Sequence, residues 1–268
     1  MKAAAFDLDD TLLRDDLSIS DFTVNTFRRL DASGFRLIAA SGRAQLSMKP
    51  FVEKLGCVCL YIACNGAEIY DGADHSLLHS ETYSMELAHE IAAFGSRYNC
   101  YAQTYGGDRF FFNQHSVYAD RYAAVSCLKG EYVGDLRSYI REPRNKILMM
   151  AEPEQIAQML QEARRLFAGR VSVTCSKPWF LEFNPLRATK GIALRAVAGR
   201  LGIAAEEIVA FGDSLNDLPM LKAAGRSVVV ANGRPDVREQ CDEVCLSNEE
   251  DGVARYLAEH YLSGEVVS

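Results

Sequence analysis

Short apolar runs and longer segments with a helical repeat take turns along this chain. "KAAAF" (2–6), "FRLIAAS" (35–41), "LYIACNG" (60–66), "IVAFGD" (208–213) and "SVVVA" (227–231) read as strands buried on both faces. "SDFTVNTFRRLDASG" (20–34) reads as a helix, with a Ser or Asp cap, apolar positions at Phe22, Val24, Phe27 and Leu30, and Gly34 as its stop. "QLSMKPFVEKLG" (45–56) reads as a helix or helical pair interrupted by Pro50, and "AEIYDGADHSLLH" as hairpin-like. "KGIALRAVAGRLG" (190–202), "DLPMLKAAG" (217–225), "RPDVREQC" and "DGVARYLAEHYL" read as further helices. Apolar strands alternating with amphipathic helices predict an α/β fold, a Rossmann-like parallel sheet with helices on both faces.

The middle of the chain has a different texture. Strands with more alternation, such as "NCYAQTYGGDRFFFN", "KILMMA" and "VSVTCSKPWFLEFN", are separated by helices such as "EPEQIAQMLQEARRLF". Of 26 aromatic residues, 16 fall within 83–187: eight Tyr, seven Phe and Trp179. This predicts an α+β domain over 83–187 inserted between core segments 1–82 and 188–268.

Composition narrows the function classes. A length of 268 residues, 49% hydrophobic and 24% charged, is that of an ordinary globular protein. Only the tail "SGEVVS" reads as disordered. The net charge is −7 and no Lys/Arg block stands out, which argues against nucleic acid and anionic membranes as partners. Eight cysteines include a C-x-C (Cys57, Cys59) and a C-x-x-x-C (Cys241, Cys245), neither with zinc-site spacing. The apolar or β-branched neighbours of Cys57, Cys59, Cys64 and Cys175 predict buried free thiols. The N-terminal apolar stretch is too short for a signal sequence, and no apolar run approaches a membrane span. The expectation is a reduced, cytoplasmic protein.

In an open parallel sheet, ligands bind beyond the carboxyl ends of the strands. Asp7, Asp9, Asp10 and Thr11 follow the first strand, and Ser41, Gly42 and Arg43 the second. Asn65 and Gly66 follow the third; Asp213, Ser214, Asn216 and Asp217 follow "IVAFG"; Lys190 opens the helix before it. Singly, each has a bland reading as a cap, a turn or a solvated charge; Ser41 and Thr189 are good N-caps in their own right. Together they predict a gathered polar edge. Asp7 and Asp213, from separate strands, form a hard-oxygen pocket suited to Mg²⁺. A Ser hydroxyl, backbone N–H groups at a helix start and Lys190 suit an anion. Metal, donors and lysine make a phosphate site, where a carboxylate can attack phosphorus once its charge is neutralised.

"FDLDDTLL", "AASGR", "TKG" and "FGDSLNDLPML" resemble, in order and context, the four signature motifs of the haloacid dehalogenase superfamily. The lysine before Gly191, "CNGAEIYD", "LPML" and "SNEEDGVARYLAEHYL" are similar to the Cof-like phosphatases, whose class IIB cap lies between the second and third motifs. The resemblance runs along both core segments and is weaker in the cap. It implies Asp7 as nucleophile forming an aspartyl-phosphate, and Asp9 as general acid/base. It implies Mg²⁺ held by the side chains of Asp7 and Asp213 and the backbone carbonyl of Asp9. Asp217 would hold a metal-bound water and Asn216 would lie near the phosphate. Ser41, the Gly42 amide and Lys190 would bind the phosphoryl group. Two positions depart from the pattern. The residue after Asp9 is often Gly and is Asp10 here, which reads as structural. The usual Met-Gly-Asn-Ala is Val-Ala-Asn-Gly at 230–233; only Asn232 is retained, and no catalytic role is assigned there.

The resulting expectation is a Mg²⁺-dependent phosphomonoester hydrolase acting on a small phosphorylated metabolite, a sugar phosphate or phosphorylated cofactor, with no protein partner implied. A phosphomutase using the same nucleophile and a non-catalytic phospho-aspartate signalling module stay as alternatives. Specificity would lie in the cap, where Arg109, Arg144, Lys146 and Glu182 are candidates to reach the substrate. Its aromatic residues are expected mostly to pack a core.

Overall fold

The structure is a computed structural model and describes residues 1–106, 109–126, 128–175 and 177–262. The tail read as disordered, 263–268, lies outside the described residues. The chain divides into two compact units. The first takes Met1–Gly42, Met48–His79 and the chain from Thr189 onward; the second takes Arg43–Ser47 and Ser80–Ala188.

In chain order, the elements up to the second unit are β1 (Ala3–Phe6), α1 (Asp21–Ala32), β2 (Arg36–Ala40), α2 (Gln45–Leu55), β3 (Leu60–Ala63), β4 (Glu68–Asp71) and β5 (Leu77–Ser80). Then follow α3 (Met85–Arg97), β6 (Tyr101–Gly106), β7 (Arg109–Phe112), α4 (Val117–Ser126), β8 (Lys129–Tyr132), α5 (Leu136–Tyr139), β9 (Ile147–Met150), α6 (Pro153–Leu166), β10 (Val171–Thr174) and β11 (Phe180–Pro185). The chain closes with α7 (Lys190–Leu201), β12 (Ile208–Gly212), α8 (Leu218–Leu221), β13 (Arg226–Val230), α9 (Pro235–Arg238), β14 (Glu243–Cys245) and α10 (Gly252–Tyr261).

The larger sheet has the order β14-β13-β12-β1-β2-β3-β4-β5. Its six strands from β14 to β3 run parallel, and β4 turns antiparallel onto β3. The α/β reading of the core holds. Side-chain alternation explains the two apolar layers. Ala4 and Phe6 of β1 join Phe27 of α1 and Leu257 of α10 on one face; Ala3 and Ala5 join Leu194 and Val197 of α7 on the other. Ser20 caps α1 by accepting from the Thr23 N–H at 3.0 Å. Helix α2 runs through Pro50 rather than breaking there. Only Leu218–Leu221 of the stretch 217–225 is helical, because the chain then returns to the sheet, where the Gly225 N–H donates to the Ile208 carbonyl at 3.0 Å. Strand β14 has no counterpart in the sequence reading; it is three residues long and lies at the sheet's edge, so no apolar run marks it.

The second unit contains a six-stranded sheet, β10-β11-β9-β6-β7-β8, antiparallel except for β7 with β8. Ala102, Met149 and Leu181 pack with Ile91 of α3 and Met159 of α6; Tyr101, Leu148, Phe110 and Phe112 form the opposite cluster. Most aromatic residues there serve packing, as expected. The cysteines correct one expectation: Cys64 is buried as expected, but Cys57 and Cys59 are half-buried and Cys175 is exposed. Cys175 directly follows β10, the edge strand of this sheet. Among the described residues no helix is long and apolar enough to cross a membrane.

Helix α7 approaches the turn at Pro219 so closely that a Cβ added at Gly191 would lie 2.1 Å from the Pro219 carbonyl oxygen. At a roomy helical site, Gly→Ala would stabilise by about 1 kcal/mol. Here Gly191→Ala is expected instead to destabilise by roughly 1–3 kcal/mol, read as a lower urea midpoint. A raised midpoint would mean that α7 and this turn stand further apart in solution.

Candidate active site

Strand β1 is wholly buried and carries Asp7 at its carboxyl end, where the Asp7 N–H donates to the Phe211 carbonyl at 3.1 Å. The chain then makes one wide helical turn, closed by the Leu13 N–H on the Leu8 carbonyl at 2.8 Å. Within it Asp9 is extended and Asp10 is left-handed, at φ 57°. Left-handed backbone favours Gly but tolerates Asp better than most side chains, which accounts for Asp10 at a position where Gly is common.

The loop after β12 folds around Asp217. One carboxylate oxygen accepts from the N–H groups of Asp213 and Ser214, each at 3.1 Å. Gly212 makes this possible, since a Cβ there would meet the Asp217 Cβ at 2.5 Å. The other oxygen accepts from Lys190 Nζ at 2.6 Å, and Lys190 also donates to Asp7 Oδ1 at 2.5 Å. Lys190 has no exposed surface. Thr189 caps its helix, accepting from the Ile192 N–H at 3.2 Å. Thr11 completes the edge by donating to Asp213 Oδ1 at 3.3 Å.

Charge is crowded here. Burial raises the Asp7 pKa well above the usual carboxylate range; Lys190 pulls it back, while Asp217, Asp213 and Asp9 push it further up. Burial, followed by Asp217, raises Asp213 to about 7. Burial opposes the Lys190 charge, but Asp217 and Asp7 outweigh it and hold its pKa above the ordinary lysine value. Ligand oxygens of Asp7, Asp213 and Asp217 all lie within 4.8 Å of one another. Carboxylates forced together at this spacing, with one lysine to offset them, fit a hard divalent cation. The third carboxylate of the cluster is Asp217, not Asp9, whose side chain is half-buried.

A second group of polar residues stands at the ends of β2 and β3. Ser41 is buried, and its carbonyl accepts from the Asn65 N–H at 3.0 Å. Asn65, left-handed at φ 57°, accepts through Oδ1 from Asn216 Nδ2 at 3.2 Å; Asn216 Oδ1 in turn accepts from the Ser214 hydroxyl at 2.6 Å. The Asn65 side chain lies 3.0 Å from where a Cβ on Gly42 would stand. The sequence reading noted Asn65 at a strand end without a role; here it joins Ser41 and Gly42 to Asn216. Its place after a strand and its membership of the Cof-like segment "CNGAEIYD" were its signals.

Comparison with known proteins decides the family. A model of haloacid dehalogenase-like hydrolases matches residues 4–257. The chain belongs to this family. It is 31% identical to phosphatase YwpJ of Bacillus subtilis (strain 168) over 98% of this chain and all of that protein. It is 28% identical to 5-amino-6-(5-phospho-D-ribitylamino)uracil phosphatase YitU of the same organism, over 96% of each chain. Among solved structures, a haloacid dehalogenase-like hydrolase from Bacteroides thetaiotaomicron superposes with a TM-score of 0.89 at 26% identity, covering 97% of this chain and 99% of that one. The Cof-like resemblance therefore stands, and the protein is a phosphatase of the haloacid dehalogenase-like family.

This hydrolase's second unit holds the other charged residues singled out in the sequence. Lys146 and Glu182 are both buried and paired at 2.8 Å. Arg109 is exposed and pairs with Glu131 at 2.7 Å; Arg144 pairs with Glu142 at 2.9 Å.

In metal-free protein, Asp213→Asn is expected to raise the melting temperature by roughly 2–8 °C, because it removes a crowded carboxylate and keeps the acceptor for Thr11. If Mg²⁺ occupies this cluster, it is expected to raise the melting temperature of the wild type and not that of the variant. Thermal unfolding with Mg²⁺ and with EDTA checks both; an equal Mg²⁺ increment in both proteins would exclude Asp213 as a ligand.

Proposed function

We propose that this phosphatase is a Mg²⁺-dependent phosphomonoester hydrolase that works through a phosphorylated Asp7 on a small phosphorylated metabolite. The observation that carries the reading is the buried Lys190 held between Asp7 and Asp217, with Asp213 completing the carboxylate cluster. The side chains of Asp7 and Asp213 and the backbone carbonyl of Asp9 would hold Mg²⁺, with Asp217 beside it. The ion supplies positive charge that lowers the proton affinity of the carboxylates and balances the phosphoryl oxygens.

The protein's own groups account for each bond change. An Asp7 oxygen attacks phosphorus as the bond to the leaving oxygen breaks, and Asp9 donates a proton to that oxygen. Water then attacks the phosphorus, Asp9 takes a proton from it, and the Asp7–phosphorus bond breaks to release phosphate. Lys190, the Ser41 hydroxyl, the Gly42 amide and Asn216 would bind the transferring group. Lys190 is poised for this because Asp217 and Asp7 outweigh the cost of burying its charge, so it stays protonated. Asn65 keeps one Asn216 N–H engaged. The segment 83–187 would select the leaving group. The YitU relative is named for a substrate that joins a phosphorylated polyol to a heterocycle, which motivates a panel of sugar phosphates and phosphorylated cofactors.

Phosphate release from sugar phosphates, nucleotides, pyridoxal phosphate and flavin mononucleotide, measured with Mg²⁺ and with EDTA, tests the reading. Release is expected to need Mg²⁺ and to vanish in Asp7→Asn. Asp9→Asn is expected to lower kcat by roughly 10²–10⁴-fold. Release that survives EDTA or Asp7→Asn would defeat the mechanism, and isomerisation without phosphate release would favour a mutase.

A further inference from the structure

The turn after Asp7 is closed by one internal backbone bond, but Asp9 and Asp10 depart from helical geometry, so contacts from outside help define its shape. Its later part is tied to a segment more than 200 residues downstream. Asn232 Nδ2 donates to the Asp10 carbonyl at 2.7 Å, and Asn232 Oδ1 accepts from the Asn248 N–H at 3.1 Å. Asn248, 3% exposed, donates from its amide to the Leu13 carbonyl at 3.0 Å and to Asp15 Oδ1 at 3.1 Å. The Asp15 N–H donates to Glu249 at 2.7 Å, and Arg14 donates twice to Asp251, at 3.1 and 3.0 Å. Two residues after Asn232, the Arg234 N–H donates to the Asp213 carbonyl at 2.9 Å. The turn carrying Asn232 is thus bonded to both loops that contribute carboxylates.

We propose that Asn232 and Asn248 are positioning residues that hold the Asp7–Asp15 loop in register with the Asp213 loop, so that both present their oxygens to one divalent cation. The proposal rests on the metal reading given under Proposed function. The physical reason lies in Asp10. A left-handed backbone costs a non-glycine residue about as much as one partly solvated hydrogen bond returns. Holding the Asp10 carbonyl therefore decides whether the residue stays left-handed. If it relaxes, the peptide between Asp9 and Asp10 rotates, and the Asp9 carbonyl turns with it. Asn232 touches neither the carboxylates nor the reacting group; it acts through the backbone of Asp10.

The test uses the full chain, Mg²⁺ binding by calorimetry without substrate, and steady-state hydrolysis of p-nitrophenyl phosphate. The Asn232 side chain is exposed, so Asn232→Ala is expected to fold. It should bind Mg²⁺ more weakly by roughly 10–100-fold, with a lower kcat and little change in KM at saturating Mg²⁺. Asn248→Ala should act in the same direction. Glu250→Ala is the control: Glu250 bonds Ser247 within the same segment at 2.7 Å and is expected to lower the melting temperature alone. Unchanged Mg²⁺ affinity and kcat in Asn232→Ala would overturn the proposal, as would an equal loss in Glu250→Ala. Wild-type protein that binds no Mg²⁺ would remove the metal reading itself, and the brace with it.

Discussion

Lys190 between Asp7 and Asp217 is the interaction on which the candidate site depends. A lysine with no exposed surface is costly to keep charged, and two carboxylates at 2.5 and 2.6 Å make it tolerable. The arrangement also constrains its neighbours. Asp217 can reach Lys190 only because Gly212 leaves room beneath it, and Lys190 can reach inward only because Gly191 lets α7 approach Pro219. One lysine cannot offset three carboxylates. The remaining imbalance appears as the raised pKa values of Asp7 and Asp213, and makes the cluster receptive to a divalent cation.

Much of this was legible in the sequence because strands deliver residues to a common edge. Once "KAAAF", "FRLIAAS", "LYIACNG" and "IVAFGD" were read as parallel strands, the residues after them had to gather, and the positions of Asp7, Ser41, Asn65 and Asp213 follow from that. What was not legible is set by contacts distant in sequence. Nothing near Asn232 or Asn248 in the chain indicates that they bond the Asp10 and Leu13 carbonyls. Strand β14 is recognised by pairing with β13, not by its own three residues. Cys175 looked buried from its apolar neighbours, but an edge strand leaves one side open.

The second unit shows the same division. Its Tyr and Phe residues pack against a sheet with apolar clusters on both faces; the sequence reading expected a packed core there, not its two-sided form. The pairing of Glu182 in β11 with Lys146, the residue before β9, depends on the register of the two strands, which alternation alone does not specify.

The order of strands in the larger sheet bears on how the protein is made. Strand β1 lies between β2, which follows it at once, and β12, which is synthesised about 200 residues later. Until that stretch leaves the ribosome, β1 has an unpaired edge lined by Ala and Phe, and Asp7 lacks both Lys190 and Asp213. The nascent chain therefore carries Asp7 without the groups that surround it in the folded protein, together with a strand edge open to pairing with other chains. Activity and protection from aggregation arrive in the same late step, when the last third of the chain closes the sheet.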